Sequence, residues 1–576
     1  MREATMDDRW MTTGEGHPRR WRILAVLVVS LLMTVLDNSV LNIALPTMQR
    51  DLHASQSDLV WAVDSYVLAF AALLFTWGVL GDRIGRKKVL LTGMLVFGAA
   101  SATAAFSSST GMLISMRTIM GIVGAAVLPT TLAIITVVFP PHERGRAIGM
   151  WAGAVGGAIA LGPVLGGLLL EHPEWTHWLT GNDWGSVFLI NVPIVIIGAT
   201  GIWREVPETR NPHPGRLDIT GLVVSVVGLV SLVYGIIHAS QTQSWTDRMV
   251  VIPIIVGVLI LAGFVITEAR SDLASFDVSL FRNRGYSVSL TAVSLAFFAM
   301  SGVTFTLPFY FQVVRGYSTL AAGFAFLPFA VGQLLAAPRS ARMVGRFGFR
   351  PVMTVGLLIV STALLLLTRL SIDTPIWQLL LIFFIYGLGM GNVMAPGTSL
   401  MQNVLPLARA GAGSAVQNTV RQVAGALGIA IIGTVLSTQY SNAVAPVLDR
   451  LSMLPGSVRG LASQSIVTTQ AVITQAQAQG LPASAATSAT AGAFDAFITA
   501  THVTLTISFV ALFLGAILIA TLLPKIQAPT QGGAGHGGPR PAAPSPANAD
   551  DTNTLMQREA DAYAAELAEE VDGRES

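Results

Sequence analysis

Apolar residues run in blocks of about twenty along most of this chain, separated by short polar, glycine-rich or basic connections. A helix needs about 20 such residues to cross a hydrocarbon layer of about 30 Å. Read with that window, the pattern predicts fourteen membrane-spanning helices, at 22–44, 59–80, 89–106, 111–138, 146–170, 186–203, 217–238, 249–268, 286–311, 321–345, 350–369, 377–403, 411–437 and 500–523. Two stretches fall outside the pattern. Residues 438–499, rich in Ala, Ser, Thr and Gln (IVTTQAVITQAQAQG), predict a long loop, with helical segments and irregular chain equally open. Beyond Gln527 the run GGAGHGGPRPAAPSPANADD cannot bury a core. The final LMQREADAYAAELAEEV carries a weak helical stripe (Met556, Ala560, Tyr563, Leu567, Val571), compatible with a partner-binding helix or a solvated acidic tail.

Composition narrows the class. With 52% hydrophobic and 11% charged residues over 576 positions, and a mean hydropathy of +0.63, the chain reads as an all-α polytopic membrane protein set in a lipid bilayer. The first span follows Arg2, Arg9, Arg19, Arg20 and Arg22 without a small-residue cleavage site, so it is expected to be retained. Of the 34 lysines and arginines, 22 fall in inner segments and 6 in outer loops if the N-terminus lies inside. That bias predicts both termini to be cytoplasmic. There is no cysteine, the nine histidines make no metal-ligand spacing, and neither a nucleotide loop nor a catalytic triad context is present. Enzymatic chemistry and a cofactor are therefore not expected, and a net charge of +2 gives no reason to expect nucleic acid.

The chain resembles itself. LGDRIGRK (Leu80 to Lys87) after span 2 is echoed by MVGRFGFR (Met343 to Arg350) after span 10, with Gly345 where the first copy has Asp82. Spans 4 and 12 each carry a proline, Pro129 and Pro396, before a basic, glycine-containing loop. Two six-helix halves with two helices inserted between them account for this, and such repeats mark alternating-access carriers with a site between the halves. The expected organisation is a cytoplasmic N-terminus (1–21), a first half (22–203), inserted helices 7 and 8 with their loops (204–285), and helices 9–13 of the second half (286–437). The extracytoplasmic loop (438–499), helix 14 (500–523) and a disordered cytoplasmic tail (524–576) complete it.

The ordered loop GVLGDRIGRKKVL (Gly78 to Leu90) is more specific than a generic basic turn. Together with LDNSVLNIALP (Leu36 to Pro46), LISMRTIMGIVGAA (Leu113 to Ala126), GMWAGAVGGAIALGPVLGG (Gly149 to Gly167), WGSVFLINVP (Trp184 to Pro193) and VRQVAGALG (Val420 to Gly428), it resembles the major facilitator superfamily. Within that family it is similar to the fourteen-span drug:proton antiporter branch of EmrB/QacA type. The likeness covers about residues 20 to 525 and departs from the pattern at Met120, Ala158, Gly185 and Ser186. It implies the major facilitator fold and a cytoplasmic latch of Gly78, Gly81, Asp82, Arg83, Gly85 and Arg86, closed when the outer side is open. It also implies an antiporter motif at Gly149, Gly162, Pro163, Gly166 and Gly167, which seals the exchange against leak.

Charge inside the spans is the other signal, because each such side chain costs about 2.5–3.5 kcal/mol on insertion scales. Away from helix ends the acids are Asp37 and Asp64, and from Gly285 to Tyr440 the only acid is Asp373, in an outer loop. With Arg117 they lie at one depth, roughly 9–12 Å from the outer interface. Ser30, Thr34, Asn38 and Asn42 recur every four residues beside Asp37 and predict one wet stripe. Asp37, Asp64 and Arg117 are thus candidates for proton coupling, against the plainer alternative of a static ion pair. Candidates for substrate contact are Asp64, Asn38, Asn42, Tyr66, the aromatics Phe305 and Phe309 with Gln312 at the end of span 9, and Asn418 with Arg421 in span 13. Asp64 is included because relatives with W-x-V-D-x-Y handle lipophilic cations. The expected function is proton-coupled efflux of hydrophobic, cationic or amphipathic small molecules across a bacterial cytoplasmic membrane. Its alternatives are export of one endogenous metabolite or lipid, with the outer loop guiding cargo or binding an accessory protein, and a non-transporting receptor or scaffold.

Overall fold

The computed structural model describes residues 16–210, 219–242, 244–270, 278–404, 410–451 and 454–524, and these are all-helical, without a strand. The tail after Gln527, with its stripe at Met556 to Val571, lies outside them. The first half comprises α1 (Arg20–Leu52), α2 (Gln56–Ile84), α3 (Arg86–Ala105), α4 (Thr110–Gly124), α5 (Val127–Val138), α6 (Pro141–Glu171) and α7 (Asn191–Glu205). Two inserted helices follow, α8 (Ile219–Thr242) and α9 (Arg248–Glu268). The second half holds α10 (Arg284–Phe309), α11 (Thr319–Ala325), α12 (Leu327–Phe347), α13 (Phe349–Leu367), α14 (Ile376–Asn403) and α15 (Ala410–Asp449). Two short helices, α16 (Gly456–Ala462) and α17 (Ile466–Ala478), lead to the last, α18 (Ala483–Leu522).

Among the described residues, thirteen helical segments are long and apolar enough to cross a membrane. The remaining expected span falls on α6, a helix of 31 residues. Proline explains where two expected spans divide. Its ring crowds the carbonyl four residues back, and span 4 breaks at Ala125 and Ala126, just ahead of Pro129. Span 10 breaks at Phe326, ahead of Pro328, to give α11 and α12.

The internal repeat reappears in the backbone. Gly85 and Gly348, matched between the two copies of the loop, both take positive φ, at 123° and 83°. Each N–H closes the preceding helix, on Gly81 O at 3.0 Å and on Val344 O at 2.8 Å. A side chain is strained there, so glycine is required in both copies.

The ends bearing Arg20, Arg86, Arg204, Arg284 and Arg346 form one end of the bundle, called here the basic end. At the far end the halves touch. Gln312 Nε2 donates to Ile43 O at 2.8 Å, Thr319 Oγ1 to Gly167 O at 3.0 Å, and Leu320 N to the Glu171 carboxylate at 3.2 Å. The inserted α8 lies along this seam, with Gln241 Nε2 donating to Ser57 Oγ at 3.1 Å and Ile236 O accepting from Thr434 Oγ1 at 3.1 Å. Beyond α8, α9 turns Ile255, Leu259 and Ile266 outward, all more than half exposed, as suits a lipid-facing helix.

The stretch 438–499 is mostly helical rather than a loop. Helix α15 runs on to Asp449 and α18 already begins at Ala483, since alanine-rich sequence favours helix. Between them a Ser465 capping box starts α17, and Tyr440 shares a 2.6 Å hydroxyl hydrogen bond with Thr469. The result is a helical cap at the far end.

Candidate functional site

Arg117 enters the first half from α4 and is fully buried. Its Nη1 donates to Asp37 Oδ2 on α1, and its Nε donates to Ala62 O on α2 at 3.1 Å. The guanidinium lies 4.3 Å from the centroid of the Tyr66 ring, whose hydroxyl donates to Thr34 O at 3.4 Å. The other Asp37 oxygen accepts from Asn191 Nδ2 on α7 at 2.8 Å, and that amide nitrogen also donates to Ser101 Oγ on α3 at 3.0 Å. Five helices therefore meet on one ion pair. Close approach makes this possible: Gly121, one turn beyond Arg117, packs directly on the Tyr66 backbone.

Asp37 does not open onto a cavity in this conformation, being 1% exposed. Nor does the expected wet stripe form one surface. Ser30 and Thr34 are buried and bond to carbonyls of their own helix, while Asn38 and Asn42 are half-buried, with Asn42 donating to Asn38 O. Tyr66, expected at the substrate, is instead buried beneath Arg117. Asn191 was not singled out by sequence, although a lone amide in an apolar span is a visible signal.

Asp64 behaves differently. It is completely buried, yet among the described residues neither carboxyl oxygen has a hydrogen-bond partner. Ala62 and Tyr66, which meet Arg117, lie on the opposite face of α2 from Asp64, because residues two apart differ by about 200° around a helix. Four residues earlier, on Asp64's own face, Val60 packs 2.7 Å from where a Gly433 Cβ would sit on α15. Asp64 is thus aimed at the seam between the halves, and Asp37 at the interior of one half.

Of the span 9 aromatics, Phe305 reaches that seam. Phe305 and Phe309 are buried, and Phe305 flanks Gly433 at 3.1 Å from the same Cβ position. Gln312 belongs to the far-end closure, and neither ring is part of an exposed wall here. Asn418 and Arg421 are half-buried on α15, and Arg421 stands 4.7 Å over the Phe297 ring.

Around the α2–α3 turn, Arg86 Nε donates to Asp82 Oδ1 at 2.9 Å and Arg86 Nη1 to Ala133 O at 3.4 Å. Lys87 N donates to Glu208 Oε1 at 3.2 Å. The Glu208 carboxylate sits where a Gly85 side chain would project, at 2.5 Å, and Arg83 is exposed. Gly78 and Gly81 face Pro129 and Thr130 of α5. Glu208 is a member of this cluster that sequence reading missed. On α6, which also carries Gly149, Gly162 and Gly166 press on Ser39 and Val40 of α1. Gly167 and the Pro163 carbonyl instead meet the other half, at Thr319 and Gly323.

A sequence profile of the Major Facilitator Superfamily matches residues 27–429. The chain belongs to that superfamily. Its relatives include the multidrug efflux pump LfrA of Mycolicibacterium smegmatis, 32% identical over 85% of this chain and 94% of the relative. The tetracenomycin C resistance and export protein of Streptomyces glaucescens is 32% identical over 74% of this chain and 77% of its own. A puromycin resistance protein of Streptomyces alboniger is 34% identical over 73% and 82%. Among solved structures, an inward-facing bacterial homologue of the lysosomal transporter Spinster aligns with a TM-score of 0.60 at 15% identity, covering 87% of this chain and 98% of that one. The superfamily fold and these relatives identify a multi-pass membrane transporter, not an enzyme.

Proposed function

We propose that this transporter is a proton-coupled exporter of hydrophobic, cationic or amphipathic small molecules, working as an antiporter by alternating access in a bacterial cytoplasmic membrane. The drug and antibiotic resistance proteins among its relatives support export of this class. In this reading the basic end is cytoplasmic, and the far-end contacts of Gln312, Thr319 and Leu320 hold the carrier facing inward. Both acids available for coupling stand in the first half, and their surroundings divide the work.

The observation that carries the proposal is the carboxyl of Asp64 at the seam, which has no partner among the described residues. An ionised carboxylate without partners costs several kcal/mol in a dry interior, whereas a neutral acid costs far less. Asp64 is therefore neutral while the seam around it is dry. Wetting of the seam from the basic end lets it release that proton to the cytoplasm, and opening of the far end with the basic end shut lets it reload from outside, so that a proton enters as substrate leaves. Asp37, neutralised by Arg117, ties α1, α2, α4 and α7 together, so that they move as one body. The test is ethidium efflux from proteoliposomes under an imposed pH gradient. Wild type moves the dye against its gradient and Asp64→Asn does not; equal efflux by both removes Asp64 from the coupling.

A further inference from the structure

The second half contains one charge near the middle of its spans, and it is positive. Arg421 lies about 16 Å along α15 from Ala410. Among the described residues it makes no hydrogen bond or ion pair: its Nε is buried without a partner and one face of the guanidinium lies on Phe297 at 4.7 Å. With Nε enclosed and the residue as a whole only half-buried, the accessible part of the guanidinium is its terminal nitrogens. Close packing of α10 against α15 fixes this placement, since Gly425 and Gly428 admit Ser301 and the Phe298 carbonyl. No acid inside the spans of its own half can neutralise it: Asp373, the only acid from Gly285 to Tyr440, lies outside the spans, and Asp449 and Asp495 belong to the far-end cap.

A guanidinium backed by a ring on one face offers two things. Its free edge presents paired N–H donors that match a carboxylate, and its free face stacks on a flat ring. Resting on the export function proposed above, we infer that Arg421 anchors an acidic group of the transported molecule, so that the substrates include flat aromatic compounds bearing a carboxylate. Asp64, on the facing seam, lies about 12 Å further toward the far end along the bundle. A compound carrying both an acid and a base satisfies the two residues together, which makes amphoteric molecules the favoured cargo.

A matched pair of dyes tests this: rhodamine 110, which bears a free carboxylate, and rhodamine 123, its methyl ester. The full chain, reconstituted in liposomes with a pH gradient, is expected to transport the acid with a KM at least tenfold below that of the ester. Arg421→Gln is expected to erase that preference, and Arg421→Lys to restore part of it. Transport of the ester with no preference for the acid, or equal loss for both dyes in Arg421→Gln, overturns the inference while leaving the exporter intact. Movement of neither dye by wild type counts against the export function itself. Liposomes of phosphatidylcholine alone and with added phosphatidylglycerol separate the source of the anion. A preference independent of lipid supports cargo, and one abolished by the anionic lipid assigns Arg421 to headgroups and overturns the inference.

Discussion

Replacing Asp37 by asparagine keeps the shape of the side chain but breaks its arithmetic. The carboxylate serves two buried donors at once, Arg117 Nη1 and Asn191 Nδ2. An amide has one acceptor oxygen, so whichever way it turns, one donor faces an N–H. The guanidinium, fully buried, also loses its counter-charge. Removing one member of a buried ion pair costs about 3–5 kcal/mol, and Asp37→Asn should approach that figure. A second change offers a control. Asn191→Asp in the same chain returns a carboxylate beside residue 37, where it accepts from the new amide. The swapped variant should recover about 2 kcal/mol, the scale of one charge-assisted hydrogen bond. The assay is the melting temperature of detergent-solubilised protein, followed by loss of its monodisperse peak, with gradient-driven efflux measured in parallel. The expected order of stability is wild type, swap, single variant. A single variant as stable as wild type, or a swap less stable than the single variant, refutes the view that this pair braces the first half.

Asp64→Asn should not lower thermal stability, because neither oxygen has a bond to lose; a large drop in melting temperature contradicts the environment described. Gly323→Leu should hold the far end apart, since any side chain there strikes the Pro163 carbonyl. The chain has no native cysteine, so a single cysteine at buried Ala322 reports the opening. An impermeant maleimide should label it several-fold faster in Gly323→Leu, and equal rates refute the closure. Tyr440→Phe removes the hydroxyl bond to Thr469 and should loosen the cap by about 1 kcal/mol, read as faster proteolysis between α16 and α17 with the melting temperature of the bundle unchanged.

Much of the architecture was legible because a bilayer imposes a simple rule. Twenty apolar residues make a span, and the described membrane-length helices contain the stretches which that count marks, though α15 and α18 run on well past them. The paired loops were readable for a similar reason, since Gly85 and Gly348 must be glycine to turn at positive φ. Rotation about the helix axis was not readable. Depth put Asp37, Asp64 and Arg117 on one level, but contact depends on which face each presents, and α2 turns Tyr66 toward Arg117 and Asp64 away from it. The pairing of Asn191 with Asp37 was hidden because the two are 154 residues apart in sequence. The stretch 438–499 was ambiguous because alanine, threonine and glutamine suit a helix whose burial comes from neighbours such as Tyr440 rather than from its own pattern.

The most direct measurement follows protons and substrate in the same vesicles. A pH-sensitive dye inside proteoliposomes, recorded together with ethidium, should show the two fluxes running in opposite directions and rising together with the imposed gradient. Asp64→Asn should abolish both. Ethidium movement that continues after the gradient is collapsed, or that leaves internal pH untouched, would contradict proton exchange at the seam.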